Sequence, residues 1–288
     1  MFRFACLWLV ALSAAAQPTS PPSSAAPHVP DAPQRIVSMN LCTDQLLLLL
    51  VDPARIASLS YFASDPAYSS LAPRARGIPP NRGQADEVLA FRPDLILTSQ
   101  FSATLAANLL ERLGHPVVRL GFAATVDESY AHIRTVAEVT DSVAHGEALI
   151  AELQRAIADA RQMLTPQLQG KTAVFFASNG YSYGAMSLQH DFMTSLGLRN
   201  VAAETGLTGP AQLPLEFLIA AQPDLVFTDP RQAIDAQLAQ PMLHHPALAA
   251  LGAHTRTIEL PDALFQCAGP QLADAYRLLA SALAGTAQ

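Results

Sequence analysis

Charged residues are scarce in this sequence, and basic residues are scarcer than acidic ones. Only 14% of the 288 residues are charged, with 17 Lys and Arg against 24 Asp and Glu, which gives a net charge of -7. An acidic chain offers no basic face to nucleic-acid phosphates, so we expect no nucleic-acid partner. Hydrophobic residues make up 50% of the chain, which excludes a disordered protein and suffices for one large domain or two modest ones.

Cysteine, tryptophan and several catalytic motifs are also rare or missing. The three cysteines are too few for a disulfide-rich scaffold and form no Cys-x-x-Cys zinc pattern, and the single tryptophan is Trp8. The sequence has no phosphate-binding P-loop and no His-Glu-x-x-His motif. The eight histidines, among them His244 and His245, include no set of three that we expect to converge. We therefore expect no metal site, no cofactor and no enzymatic activity.

The first 33 residues have the composition of an export signal followed by a tether. Arg3 supplies a positive charge, residues 4–14 are apolar, and Ala14, Ala15 and Ala16 provide the small residues of a cleavage site. Residues 1–16 are therefore predicted to be a signal peptide that is cleaved near Ala16, so we expect the mature protein to be exported. Residues 17–33 contain six prolines, which is typical of an extended tether.

Short apolar segments alternate with helical patterns in the rest of the chain. This alternation predicts an α/β fold with parallel sheets covered on both faces. The predicted helices include residues 45–51, 103–113 and 191–196. The predicted strands are residues 35–39, 55–59, 94–98, 117–120, 173–177, 224–228 and 257–260.

A repeated pattern indicates that the fold is made of two similar lobes. The segment Pro-Asp-Leu-Ile-Leu-Thr at 93–98 recurs as Pro-Asp-Leu-Val-Phe-Thr at 223–228. Each copy follows an apolar helix that starts with acidic residues, and each precedes a helix ending in Leu-Gly and a further strand. The same order of elements occurring twice predicts Rossmann-like βα lobes at residues 34–142 and 170–288. Residues 143–169 between them are predicted to form one long, rigid connecting helix.

Several segments together resemble the class III substrate-binding proteins of ABC importers, the family that serves vitamin B12 and iron–siderophore complexes. The resemblance covers nearly all of residues 34–285, and it depends on the order and spacing of the segments. The segments are RIVSMNLCTDQLLLLL (35–50), DEVLAFRPDLILT (86–98), LGHPVVRL (113–120), SLGLRNVA (195–202), LPLEFLIAAQPDLVFT (213–228) and FQCAGPQL (265–272).

This resemblance implies a monomeric periplasmic protein that captures an iron–siderophore or corrinoid ligand in a cleft between its lobes. The loaded protein would deliver this metal chelate to a permease in the inner membrane. A haem or metal-ion carrier of the same fold is the alternative, and an α/β enzyme is less favoured. Members that bind cobalamin tend to line the cleft with tryptophan, which the mature chain lacks.

The resemblance also implies that one acidic residue in each lobe docks on arginines of the permease. Glu216 matches the position in the second lobe, seven residues before its proline. The same spacing in the first lobe falls on Asp86, and Glu87 lies beside it. The alternative is that these acids only stabilise the N-termini of their helices.

Ligand contacts are expected in the loops that follow the strands, because the carboxyl ends of parallel strands face the cleft. Tyr61, Phe62, Tyr181 and Tyr183 can contact a flat macrocycle or a catechol, and Arg82 can pair with a ligand carboxylate. The alternative is that these aromatic residues pack against the edge of a hydrophobic core and do not contact the ligand. The remaining candidates are Asn40, Cys42, Gln100, Phe101, Gln212, Asp262 and Phe265.

Cys42 and Cys267 are the two cysteines that remain after processing, and the predicted topology places both beside the cleft. Because an exported protein meets oxidising conditions, a disulfide between them is plausible and would lock the lobes together. Two inert thiols, or thiols that touch a metal ligand, are the alternatives.

Overall fold

The computed structural model describes residues 32–177, 180–229, 251–252 and 254–284. The predicted signal peptide and most of the predicted tether, the helix predicted before Leu251, and His244 and His245 lie outside these ranges. No helix within the described ranges is both long and apolar enough to cross a membrane.

The N-terminal lobe contains a five-stranded parallel sheet with the strand order β3-β2-β1-β4-β5. Alternate side chains along its central strands pack on opposite faces: Ile36 and Leu95 enter one hydrophobic cluster, and Val37 and Ile96 enter another. Both faces are therefore buried, as a parallel sheet requires. Its elements are β1 (Ile36–Ser38), α1 (Leu41–Leu50), β2 (Ile56–Ser60), β3 (Pro80–Asn81), α2 (Ala85–Ala90), β4 (Leu95–Ser99), α3 (Thr104–Arg112), β5 (Val117–Leu120) and α4 (Val126–Val139).

The C-terminal lobe repeats this plan with a four-stranded parallel sheet of order β11-β10-β6-β8 and a small antiparallel pair, β7 and β9. Phe175 and Phe227 pack on one face of the sheet, and Val174 and Val226 pack on the other. Its elements are β6 (Thr172–Phe175), β7 (Tyr181–Tyr183), α6 (Leu188–Ser195), β8 (Arg199–Asn200), α7 (Val201–Glu204), β9 (Pro210–Gln212), α8 (Leu215–Ala221), β10 (Leu225–Thr228), β11 (Arg256–Glu259) and α9 (Leu272–Ala284).

The repeated Pro-Asp-Leu segment has the same structural role in both lobes. Asp94 accepts hydrogen bonds from the backbone N–H groups of Gln34 and Arg35 at 2.7 and 2.9 Å, at the start of β1. Asp224 accepts them from the backbone N–H and the hydroxyl of Thr172 at 2.8 and 2.9 Å, at the start of β6. Each aspartate therefore ties the amino end of its own strand to that of a neighbouring strand, which explains why the segment occurs twice.

The two lobes are joined by α5 (Val143–Leu168), a helix of 26 residues. At 1.5 Å per residue its length is about 39 Å. Ile150 belongs to the hydrophobic cluster of the N-terminal lobe, and Leu153, Ile157 and Leu164 belong to that of the C-terminal lobe. The helix thus forms part of both cores, so the lobes are connected by a packed element and not by a flexible linker.

The two lobes also contact each other directly, at positions outside α5. The backbone N–H of Val126, in the first turn of α4, donates a hydrogen bond to the carboxylate of Asp191 in α6 at 2.9 Å. A carboxylate is favoured at this position because the first N–H groups of a helix lack partners within the helix. The side chain of Tyr130 packs against the hydrophobic clusters of both lobes.

Candidate functional site

A cavity of about 550 Å³ lies at the carboxyl ends of the N-terminal lobe's strands, with one residue of the C-terminal lobe on its rim. We call it the cleft cavity. Four residues predicted from the sequence line it: Asn40, Tyr61, Phe62 and Arg82. The other lining residues are Met39, Leu41, Ser60, Tyr68, Gly83, Ser102, Ala103 and Gln266.

Three aromatic side chains form one wall of the cleft cavity, and we call them the aromatic wall. The ring centroids of Tyr61 and Phe62 are 3.9 Å apart, and those of Phe62 and Tyr68 are 5.0 Å apart. Tyr61 is 48% exposed and Tyr68 is 43% exposed, so a large part of each ring remains free to contact a ligand. Such a wall suits a flat, largely apolar ligand.

Two asparagines hold the loops around the cavity in place. Asn40 caps α1 by accepting from the backbone N–H of Cys42 at 2.9 Å, and its amide donates to the hydroxyl of Ser102 at 2.9 Å. The amide of Asn81 donates to the carbonyl of Ser38 at 2.9 Å, and its oxygen accepts from the backbone N–H of Gly83 at 2.9 Å. These bonds link the ends of neighbouring strands, so the cavity is largely formed before any ligand binds.

Asp44 contacts Ser60, the residue that precedes Tyr61 of the aromatic wall, and is completely buried. One oxygen of its carboxyl group accepts from the backbone N–H of Ser60 at 3.0 Å, and the other interacts with the Ser60 hydroxyl. Burial raises the pKa of Asp44 to about 7, and hydrogen bonds from Ser38 and Ser60 limit the rise. A carboxyl group in this state changes charge near neutral pH.

The remaining sequence candidates from the strand loops do not line the cleft cavity. Gln100 and Phe101 are exposed, and the Phe101 ring is 70% exposed. Tyr181 and Gln212 face each other across the β7–β9 pair. Asp262 donates its backbone N–H to the Asp229 carboxylate at 2.9 Å.

Two of the predicted aromatics lie in or against the core of the C-terminal lobe. Phe265 is 6% exposed and packs against Phe175 and Phe192, with ring centroids 5.0 and 5.2 Å apart, so little of it can meet a ligand. Tyr183 packs edge-on against Phe175. Burial, followed by the nearby charges of Asp262 and Asp229, raises its pKa above the ordinary value. Asn179, Pro230 and Arg231, which also belong to loops that follow predicted strands, lie outside the described residues.

Cys42 and Cys267 form a disulfide whose Cα atoms are 5.2 Å apart. Cys42 lies in the first turn of α1, and Cys267 lies in the loop before α9. Their chain neighbours Leu41 and Gln266 both line the cleft cavity. The disulfide therefore joins the two lobes at the edge of the cavity.

The three candidate docking acids differ in their surroundings. Asp86 and Glu216 are exposed and occupy the first turns of α2 and α8. Glu87 is half-buried, and its carboxylate accepts from the backbone N–H of Arg82 at 2.6 Å. Asp86 is thus the more accessible acid of the first lobe, whereas Glu87 supports a cavity loop.

Residues 180–184 read Gly-Tyr-Ser-Tyr-Gly, which matches the sequence of the nucleophile elbow of hydrolases. An elbow serine lies on a sharp turn from a strand to a helix. Ser182 instead lies in the middle of β7, opposite Ala211 of β9, and is fully buried. Its hydroxyl has no hydrogen-bond partner within the described ranges, so no base activates it there. Nor do those ranges contain a group of three or more His, Cys, Asp or Glu residues suited to a metal ion.

Residues 36–263 match the family described as periplasmic binding proteins. The chain belongs to this family. The match extends from β1 of the first lobe to the loop that follows β11 of the second. It confirms the resemblance to class III binding proteins and the two-lobed α/β fold. A search of curated protein sequences found no match.

Solved structures of several periplasmic binding proteins resemble this binding protein along nearly their whole length. A periplasmic haem-binding protein, RhuT from Roseiflexus sp. RS-1, is 24% identical over 88% of this chain and 99% of its own, with a TM-score of 0.73. A possible iron-binding protein from Staphylococcus epidermidis ATCC 12228 is 17% identical over 87% and 98%, with a TM-score of 0.70. The vitamin B12-binding protein BtuF of Vibrio cholerae is 16% identical over 88% and 97%, with a TM-score of 0.67. At these identities the likeness shows the fold.

Proposed function

We propose that this protein is the periplasmic binding component of an ABC importer and captures a metal chelate in the cleft cavity. The observation that carries the proposal is the aromatic wall, in which the partly exposed Tyr61 and Tyr68 line a preformed cavity of about 550 Å³ at the carboxyl ends of the N-terminal lobe's strands. Arg82 on the same cavity offers a cation for a ligand carboxylate.

An iron–siderophore or a corrinoid is the first candidate ligand. Catechol rings of a siderophore and the face of a corrin macrocycle both stack on aromatic side chains. The vitamin B12-binding and possible iron-binding relatives support these two classes. The absence of tryptophan from the mature chain leaves tyrosine and phenylalanine to supply the contact surface.

Haem is the second candidate, and the two exposed tyrosines favour it specifically. A tyrosine oxygen can serve as an axial ligand of haem iron. Tyr61 and Tyr68 both line the cleft cavity. The haem-binding relative from Roseiflexus supports this candidate.

Transport without chemical change completes the proposal. The signal peptide directs the chain to the periplasm, where it acts as a monomer and not as an enzyme. Asp86 and Glu216, one exposed acid in each lobe, then meet arginines of the membrane permease. Charge-assisted pairs at two separate points would set the orientation of the docked protein.

The experiment is a thermal-shift screen of the mature protein against haemin, cyanocobalamin, cobinamide and a panel of ferric siderophores. At a ligand concentration of about 100 Kd, binding stabilises the folded state by about 2.7 kcal/mol. This corresponds to a rise in Tm of roughly 5–10 °C for a chain of this size. A shift with one class and not with the others identifies the ligand, and the absence of any shift contradicts the proposal.

A further inference from the structure

The end of β2 lacks a strand partner on one side. β1 ends at Ser38 while β2 continues to Ser60, and the register pairs Val37 with Ser58. The backbone N–H of Ser60 therefore lies past the end of β1. The carboxyl group of Asp44, which projects from α1, accepts this N–H and also interacts with the Ser60 hydroxyl.

The residue held in this way is the one that begins the aromatic wall. Ser60 lines the cleft cavity, and Tyr61 and Phe62 follow it directly in a short 3-10 turn, residues Tyr61–Ser64. The turn closes with a hydrogen bond from the backbone N–H of Asp65 to the carbonyl of Phe62 at 3.2 Å. A displacement of Ser60 would therefore also move the rings of Tyr61 and Phe62, which line the cavity.

We propose that Asp44 is a positioning residue of the ligand site, which holds the end of β2 from beneath and so fixes the aromatic wall. This inference rests on the proposed function in taking the wall as the surface that meets the ligand. Burial of a carboxyl group raises the free energy of the folded state unless the group is hydrogen-bonded. An apolar side chain would fill the same place in the core without this desolvation cost. The two bonds to Ser60 give the acid a local role that an apolar side chain cannot fill.

The first test measures amide hydrogen exchange by mass spectrometry in the mature, ligand-free protein. Asp44→Leu removes both bonds with a side chain of the same branching, and we expect exchange at residues 60–65 to become about tenfold faster or more, since the two bonds together contribute about that factor. Asp44→Asn retains an oxygen for the Ser60 N–H and a donor for its hydroxyl, so exchange should stay close to that of the wild type. Unchanged protection of residues 60–65 in Asp44→Leu would overturn the proposal.

A matched control separates this local effect from general destabilisation. Asp94→Ala removes a carboxyl group that also accepts two hydrogen bonds, but at the amino ends of β1 and β4. It should leave the exchange of residues 60–65 unchanged, and an equal rise there would overturn the proposal. Should Asp44→Leu fail to fold, Ser60→Ala removes the hydroxyl contact from the other side. Faster exchange at residues 61–65 in that variant is the expected result, and no change would count against the proposal.

The second test titrates the wild type and variants with haemin and, separately, with cyanocobalamin. We expect Asp44→Leu to bind the accepted probe about tenfold more weakly and Asp94→Ala to bind it as the wild type does. Full affinity in Asp44→Leu despite faster exchange would overturn the role of Asp44 in the ligand site. If the wild type bound neither probe and no siderophore of the panel, the proposed function would fail, while the exchange result would still decide whether Asp44 fixes the wall.

Discussion

Asp44 is a carboxyl group with none of its surface exposed to solvent. Because burial raises its pKa from 3.8 to about 7, the protonated form is favoured in the folded protein relative to the unfolded chain. The contribution of Asp44 to stability is then fully present below about pH 4 and is lost as the pH rises through about 7. Its place in the sequence, in the first turn of an apolar helix, gave no sign of this burial.

This titration can be measured by urea unfolding between pH 4 and pH 8. The free energy of unfolding of the wild type, relative to that of Asp44→Asn, should fall as the pH rises from about 4 to about 7, because only the wild type has this titrating group. The comparison removes the contributions of the other ionisable groups. Parallel pH curves for the two proteins would show that the pKa of Asp44 is not raised.

Tyr61 and Tyr181 allow a comparison between two exposed tyrosines in different lobes. Tyr61 lines the cleft cavity, whereas Tyr181 is 45% exposed and does not line it. We expect Tyr61→Ala to weaken ligand binding about tenfold or more, since an aromatic contact and its buried area are lost, and Tyr181→Ala to have little effect. Calorimetric titration with the ligand identified by the screen measures both. A larger loss of affinity in Tyr181→Ala than in Tyr61→Ala would indicate that the ligand binds nearer to the C-terminal lobe.

At the scale of single elements, hydrophobic patterns predicted the strands that contain Val, Ile or Leu and missed four short strands that contain none of them. The seven predicted strands are confirmed, and their ends differ by at most two residues from those in the structure. The strands that were missed, β3, β7, β8 and β9, have only two or three residues each, and β3 and β9 begin with proline. Such segments lack the aliphatic residues that mark a buried strand, and their pairing depends on neighbours that are distant in sequence.

The packing of α4 against α5 depends on a glycine within the helix. A Cβ atom at Gly146 would lie 2.7 Å from the Cβ of Ala137, closer than two such atoms can approach. In an open helix, Gly→Ala stabilises by about 1 kcal/mol. Overpacking costs about 1–3 kcal/mol, so we expect Gly146→Ala to lower the free energy of unfolding by about 1 kcal/mol.

Urea unfolding of Gly146→Ala measures this effect. A second, compensating substitution in α4 provides the control. Ala137→Gly removes the opposing Cβ, so the double variant should recover most of the stability lost in Gly146→Ala. A single variant more stable than the wild type would show that the two helices separate without cost.

On the scale of the whole molecule, several connections among the described residues limit how far the lobes can move apart. They include α5, the hydrogen bond between Val126 and Asp191, and the disulfide between Cys42 and Cys267. The disulfide encloses a sequence separation of 225 residues, so it restricts the unfolded chain strongly. It also lies where the cleft would otherwise open.

We expect the double variant Cys42→Ser/Cys267→Ser to lose about 2–5 kcal/mol of stability, the usual effect of removing a native disulfide. Urea unfolding of the oxidised wild type, the reduced wild type and the variant measures the loss, and the last two should agree. Thiol titration of the oxidised mature protein under denaturing conditions should find no free thiol. Two free thiols per chain would contradict the disulfide.

Docking on a permease is also a property of the whole molecule, because it requires one acid in each lobe. We expect Glu216→Lys and Asp86→Lys to lower uptake in cells strongly while leaving ligand affinity unchanged, since both side chains are exposed and neither lines the cavity. Glu87→Gln is the control, and it should affect uptake less, because an amide oxygen can still accept from the Arg82 N–H. Loss of ligand binding in Glu216→Lys would place that residue in the cleft or the fold, and normal uptake would exclude it from docking.

The sequence by itself determined the two lobes, their aliphatic strands and the helix between them, because these features depend on local hydrophobic patterns and on a segment that occurs twice. It also indicated four residues of the cleft cavity, Asn40, Tyr61, Phe62 and Arg82, since the carboxyl ends of parallel strands meet at one edge. Only the tertiary structure decided that Tyr68 joins the aromatic wall, that Phe265 lies in the core and that Asp44 supports Ser60. Those outcomes depend on contacts between elements that are separate in sequence, which no local pattern records.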